Sequence, residues 1–337
     1  MKLRILAIFF ISIFSSAIAF AENTDLIPPP KHAESLNELP KLFENKNGLT
    51  DFREQLYGIP ESDALGMDLP KGLTRKDIVK LVAPNEDINL AIAVGAKAFP
   101  YRLNSYVVIA CFARPNQYKD LRFPERKSCK KKTGDRDPDD IIYLGLIEYD
   151  SIKSKSKLIA KSLPLETSWY FIISEQFRSD MREKRYLPPK GKYKEFDFAP
   201  FKVSDTQTAF GLRTGQTDGY SGGFGYFEVL TLFIVDNDQI INILSEPIYF
   251  YQNIAGSWNK DGTREHGLYE GKNVIVVLPS QTDGYYDLQI KSLDNEWQKT
   301  FAWDASLKRY LPSDRTATLN RILAEIYNLQ IRGVTYY

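Results

Sequence analysis

The sequence predicts a mainly β protein: successive antiparallel meander sheets, propeller-like or sandwich, with short N-terminal helices and a C-terminal amphipathic helix. Two observations carry that prediction. From about residue 87 the chain runs as short apolar or alternating segments, divided by turn residues at spacings of about 10 to 15. That is the rhythm of hairpins, not of βαβ units. Of the 337 residues 43 % are hydrophobic and 13 % aromatic, enough for a large core, and the charges balance to +1. That balance gives no global pull toward nucleic acid or an anionic membrane.

Residues 1–21 have the pattern of an export leader. Lys2 and Arg4 precede the apolar stretch Ile5 to Phe14, and Ala19-Phe20-Ala21 fits a small-residue cleavage site before Glu22. Ser12, Ser15 and Ser16 interrupt the stretch before it could cross a bilayer core of about 30 Å, and no later segment is long and apolar enough to span. The expected location is periplasmic or secreted, after cleavage near Ala21. Export changes how the two cysteines are read. In an oxidising compartment Cys111 and Cys129 form a disulfide, and closing so short a loop stabilises the fold by about 3 kcal/mol.

Residues 22–48 are a polar, proline-containing arm. Residues 49–164 hold two helices and a first four-strand unit. Thr50-Asp51 is the expected cap of a turn through Phe52, Leu56 and Tyr57; Thr74 is the expected cap of a helix carrying Ile78, Leu81 and Val82, ended by Pro84. Strands are expected at Ile88 to Ala98, Tyr106 to Ala113, Ile141 to Tyr149 (Gly145 marking a bulge) and Leu158 to Leu163. Residues 165–197 connect the units, with Pro188-Pro189 and Lys190-Gly191-Lys192 breaking the pattern. Residues 198–337 bring two further groups of short strands, at 201–203, 209–213, 227–235 and 240–244, then at 273–278, 287–293, 297–303 and 309–311. Leu319, Ile322, Leu323 and Ile326, after a Ser313 cap, make the stripe of a helix docked on a sheet.

One repeat is literal: Gln216-Thr217-Asp218-Gly219-Tyr220 recurs as Gln281-Thr282-Asp283-Gly284-Tyr285. Each copy follows an expected strand and precedes another, and Asp-Gly supplies the positive φ of a tight hairpin. The second copy continues Tyr286-Asp287-Leu288, and here the segment Asp283 to Leu288 resembles part of an FG-GAP-type β-propeller repeat. That resemblance implies β-meander units. Two hairpin tips of one sequence, on one edge, would offer Gln216, Asp218, Tyr220, Gln281, Asp283 and Tyr285 as a paired binding surface.

Gly219-Tyr220-Ser221-Gly222-Gly223 is a literal G-x-S-x-G, in which a hydrolase serine would sit on a strand-to-helix turn. A β-type run comes after it instead, so a glycine-rich hairpin loop is the favoured reading. The catalytic alternative uses Ser221 with His266, oriented by Asp261 or Glu265. Asp135, Asp137, Asp139 and Asp140 lack the glycine and closing glutamate of a calcium loop, and neighbouring lysines offset them, so no metal or cofactor is expected. Arg122, Arg126, Lys127 and Lys130 to Lys132 form a basic surface with few aromatics, and no nucleic-acid partner is expected. The function that fits is an exported, non-enzymatic binding protein for an envelope protein or glycan, such as an envelope-protective inhibitor or immunity-type protein. A serine hydrolase of envelope substrates is the alternative.

Overall fold

The computed structural model describes residues 30–57, 63–113, 141–153, 155–165, 192–220 and 222–313. The expected leader, Cys129, the acidic residues at 135–140, the basic residues at 122–132, Pro188 and Pro189, Ser221 and the expected C-terminal helix all lie outside them. Nothing in the described helices is long and apolar enough to cross a membrane.

The chain enters as β1 (Lys31–Ala33), makes a 3-10 turn at Leu39–Lys41, and forms helices α1 (Lys46–Tyr57) and α2 (Arg75–Val82). Helix α1 begins earlier than the sequence suggests. Its cap is Asn45, whose Oδ1 accepts from the Asn47 N–H at 2.8 Å, and Thr50 and Asp51 lie inside the helix. Helix α2 starts as expected: Thr74 and Asp77 form a reciprocal capping box, and the chain leaves the helix before Pro84.

Four strands come next as an antiparallel meander: β2 (Ala91–Ala98), β3 (Ser105–Phe112), β4 (Ile141–Asp150) and β5 (Lys155–Lys161). Eight more make a second: β6 (Lys192–Lys202), β7 (Thr208–Tyr220), β8 (Gly223–Asp236), β9 (Gln239–Trp258), β10 (Arg264–Thr282), β11 (Tyr285–Ser292), β12 (Gln298–Asp304) and β13 (Arg309–Pro312). A single parallel pair, Lys161 beside Gln239, joins β5 to β9. Strand β10 serves two sheets. Its first half pairs with β9 and, on its other edge, with β1, and from Asn273 it pairs with β11.

Strands β7 and β8 form a middle layer with both faces buried, so their core segments read as near-continuous apolar runs. Phe210, Leu212 and Phe233 point toward Ile109, Leu144 and Leu146 of the first meander. Their neighbours Ala209, Leu232 and Ile234 point the other way, toward Leu288, Phe301 and Trp303 of β11 to β12. The sheets therefore stack as layers. Helix α2 closes the outer face of the first meander, with Ile78, Val79 and Val82 against Val108, Phe112 and Ile147.

Gly145 is not the bulge itself. It pairs in register with Val108 and Lys161, and the register slips one step later, between Leu146 and Ile147. Glycine is needed there because α2 presses on the sheet: a Cβ at 145 would run into Val82 Cγ1 and come within 2.9 Å of Val108 Cγ2. Gly145→Val should therefore destabilise the protein by about 1–3 kcal/mol through overpacking. Urea unfolding reads this, and an unchanged midpoint would show that the helix yields freely.

Candidate functional site

Strands β11 to β13 cover one face of the long hairpins. Farther along the same face, toward the β7–β8 turn, strand alternation lines up Arg213, Gly215 and Thr217 of β7 with Tyr226 and Glu228 of β8. It adds Tyr249 and Tyr251 of β9 and Glu270 of β10. Helix α1 and residues 31–45 lie over this face, with Ala33, Leu39 and Phe52 packed against the tyrosine rings and Leu268. Two glycines let the cover sit down: a Cβ at Gly48 of α1 would collide with the Tyr249 hydroxyl, and one at Gly215 with the Tyr226 hydroxyl.

Three carboxylates are buried beneath the cover, with Asp51, Glu228 and Glu270 only 2 %, 1 % and 7 % exposed. Each accepts a tyrosine hydroxyl: Tyr251 to Asp51 at 2.9 Å, Tyr226 to Glu228 at 2.7 Å, Tyr249 to Glu270 at 2.8 Å. Each has further donors. Lys194 Nζ and Thr217 Oγ1 reach Asp51 at 3.3 and 3.2 Å. The backbone N–H groups of Glu44 and Asn45 both reach Glu270 at 3.0 Å, and Lys31 stands 3.4 Å away. Arg213 bridges Glu228, at 2.8 Å from Nη1, and Asp197, at 2.9 and 2.6 Å from Nε and Nη2.

Ionisation reflects this packing. Burial, and then the adjacent carboxylates Glu270 and Asp51, raise the Tyr249 and Tyr251 hydroxyls far above the usual phenol range, so both remain donors. Burial opposes the charge on Arg213, but Glu228 and Asp197 outweigh it and hold the guanidinium pKa above its ordinary value. Burial also raises Glu195, 3.4 Å from Arg213, although that arginine pulls the other way. A tyrosine held as a donor is no base, and each buried carboxylate is engaged by several donors. The network's chemistry is that of a latch, fastening α1 and the N-terminal segment to the sheet. Among the described residues no group of three or more His, Cys, Asp or Glu is placed to hold a metal ion.

The repeated pentapeptides do not occupy equivalent positions. Asp283 and Gly284 are a two-residue turn at φ 51° and 81°, as expected. Asp218 and Gly219 instead lie inside the β7–β8 ladder, opposite Gly225 and Phe224, and the chain turns three residues later at Gly222, φ 101°. Nor do the copies share an edge. Gly223 pairs with Ile254, and Ile254 with Gly267, so the second turn lies roughly 50 Å of extended β10 chain away. Gln281 and Asp283 are exposed, while Tyr285 stacks on Trp303 at 3.9 Å and reaches Gln207 at 3.2 Å, a core-edge contact. The paired surface is thus replaced by two separate turns. The side chains of Gln216, Asp218 and Tyr220 lie outside those described.

His266 Nδ1 is 2.9 Å from Asn253 Oδ1, and burial, with Arg264 nearby, lowers its pKa. Asp261 closes its own turn, accepting from the Thr263 N–H at 3.0 Å and the Thr263 hydroxyl at 2.7 Å. The structure does not join Asp261 to His266. Cys111 is buried in β3.

The β9–β10 hairpin brings together residues that no sequence motif links. Trp258 is 70 % exposed, with the Arg264 guanidinium 5.3 Å from its ring centroid. Arg264 Nε donates to the Gly256 carbonyl at 2.9 Å, and Ile254 is also exposed. A register slip between Arg264 and His266 kinks the strand pair here, as bulges do. The β7–β8 turn adjoins it: a Cβ at Gly222 would stand 3.3 Å from Arg264 Nη1. Nothing in the sequence around Trp258 pairs it with Arg264.

No protein-family model, curated protein or solved structure matches the chain.

Removing one acid tests the latch. Glu270→Ala strands the Tyr249 hydroxyl and two backbone N–H groups, and should cost about 3 kcal/mol or more, whereas Tyr249→Phe should cost about 1 kcal/mol. Limited proteolysis should then cut residues 31–45 of Glu270→Ala ahead of the rest. Wild-type stability in that variant would mean that the cover is held by its apolar contacts alone.

Proposed function

We propose that this chain is an exported, non-enzymatic binding protein that captures an envelope protein or glycan with the exposed end of its long hairpins. The observation that carries this reading is the Trp258–Arg264 pair, beside Ile254 and the β7–β8 turn. An exposed tryptophan stacked by a guanidinium offers a large, rigid face at small entropic cost, the chemistry of interface anchors. An inhibitor or immunity-type role belongs to this class. The buried acids support it from the other side, because Asp51 and Glu270 are engaged in fastening α1 and the N-terminal segment, and Glu228 in pairs within the sheet.

Export belongs to the same proposal and rests on the pattern of residues 1–21. Protein recovered from the envelope should begin at Glu22 and show no alkylatable thiol before reduction, as a Cys111–Cys129 disulfide requires. An intact Met1, or two reactive thiols, would refute the address. For the binding end, Trp258→Ala with Arg264→Ala should weaken capture of the partner retained from envelope extract by at least about 2 kcal/mol, with little change in melting temperature. Retention at full strength would move the binding surface elsewhere. Covalent labelling by a fluorophosphonate probe, lost in Ser221→Ala, would overturn the reading in favour of a hydrolase.

A further inference from the structure

The first meander carries an unusual pair of turns. The β2–β3 and β4–β5 turns lie at the same end of their sheet, since Ser105 pairs with Glu148 and the Tyr149 N–H donates to the Asn104 carbonyl at 2.8 Å. Each turn presents one aliphatic side chain to solvent: Leu103 is 86 % exposed and Ile152 95 %. Such exposure adds nothing to the stability of the folded monomer, and both turns are well formed. Asp150 Oδ1 accepts from the N–H groups of Ile152 and Lys153 at 3.0 and 3.1 Å, fixing the second turn, and Asn104, at φ 51°, closes the first. Tyr101, also exposed, stands beside Leu103 with its ring against Phe99.

Charge surrounds these two side chains. Arg102, Lys153, Lys155 and Lys157 are exposed around the turns, and Lys71 is brought to the same end by the Tyr149 hydroxyl, which donates to the Lys71 carbonyl at 3.0 Å. The acids among them are Glu148, 3.7 Å from Arg102, and Asp150, 3.6 Å from Lys153. Among the described residues, these five cations against two carboxylates leave this end positive in a chain whose total charge is close to zero.

We infer that this end is a membrane-contact surface for an anionic bilayer, Leu103 and Ile152 entering the headgroup–acyl boundary while the surrounding cations meet lipid phosphates. Single aliphatics on separate turns form no groove to grip a protein side chain, whereas a bilayer interface needs no preformed pocket. Neither feature alone anchors firmly, and the combination of a small apolar insertion with positive charge is what makes such attachment selective and reversible. This surface is separate from the Trp258 end and does not rest on the partner proposed there.

Vesicle co-sedimentation of the full chain tests it. The protein should pellet with phosphatidylcholine vesicles containing about one third phosphatidylglycerol, and not with phosphatidylcholine alone. Leu103→Ser with Ile152→Ser should lower the partition coefficient at least about tenfold, and Lys153→Glu with Lys155→Glu should do the same. Both pairs of sites are exposed, so melting temperatures should stay at the wild-type value. Failure to pellet with the anionic vesicles, equal binding to both lipids, or unchanged binding of the aliphatic double variant would each overturn the inference. Binding lost only in the lysine variant would show surface adsorption without insertion, and would overturn it as well.

Discussion

The architecture around the long hairpins depends on one constraint: three carboxylates have been taken out of water, and each must be satisfied where it lies. An unpaired buried charge costs several kcal/mol, comparable to a large part of a domain's net stability. The sheet meets this with tyrosine hydroxyls, which deliver a donor from an apolar ring and so satisfy the acid without adding charge. Helix α1 completes the arrangement. Gly48, Asp51 and Phe52 lie at i, i+3 and i+4 on one stripe, so the position that makes room for Tyr249, the acid that meets Tyr251 and the ring that fills the apolar gap face the sheet together. Replacing any one of them disturbs the seating of the other two.

The same constraint explains which parts of the fold the sequence announced. Where strands bury apolar side chains, as at 209–213 or 227–235, the pattern located them well. Where the buried face is polar, it did not. The opening of β6, Lys192-Tyr193-Lys194-Glu195, looks like a charged break in sequence, yet Lys192 and Lys194 lie against Glu54 and Asp51, and Glu195 lies against Arg213 and Asn47. Asp51 beside Thr50 has the look of a helix cap, because short polar residues ahead of apolar ones mark helix starts. Its true role depends on Tyr251, two hundred positions away, and no local pattern contains that partner.

The repeat makes a related point about turns. Asp-Gly permits positive φ but does not compel it; the residues after it decide. Beyond Asp283-Gly284 stand Tyr285 and Tyr286, strong strand formers that need pairing at once, so the chain reverses there. Beyond Asp218-Gly219-Tyr220 stand Ser221 and two glycines, so the ladder runs three residues further before a more permissive site takes the turn. Identical pentapeptides thus end as a turn and as a strand. For the binding surface the consequence is direct, because the repeated side chains are separated along β10, and the exposed aromatic that replaces them sits beside only one of the two copies.

The direction of the strands relates the two proposed surfaces. Strand β5 runs parallel to β9, with its last residue, Lys161, beside the first of β9, Gln239. Tracing β5 backwards from that point leads to Ile152 and the basic turns; tracing β9 forwards for twenty residues leads to Trp258. The two surfaces therefore occupy opposite ends of the strand direction, one positive with bare aliphatics, the other built on a stacked tryptophan. A protein resting on a bilayer by its first meander would hold its hairpin end away from the lipid. The latch beneath α1 matters for that geometry, because among the described residues the β7–β8 and β9–β10 hairpins extend beyond the layers that sandwich their bases. Fastened across their polar face by α1 and the N-terminal segment, they form a stiff projection, and stiffness is what lets a small exposed anchor bind without a large loss of conformational entropy.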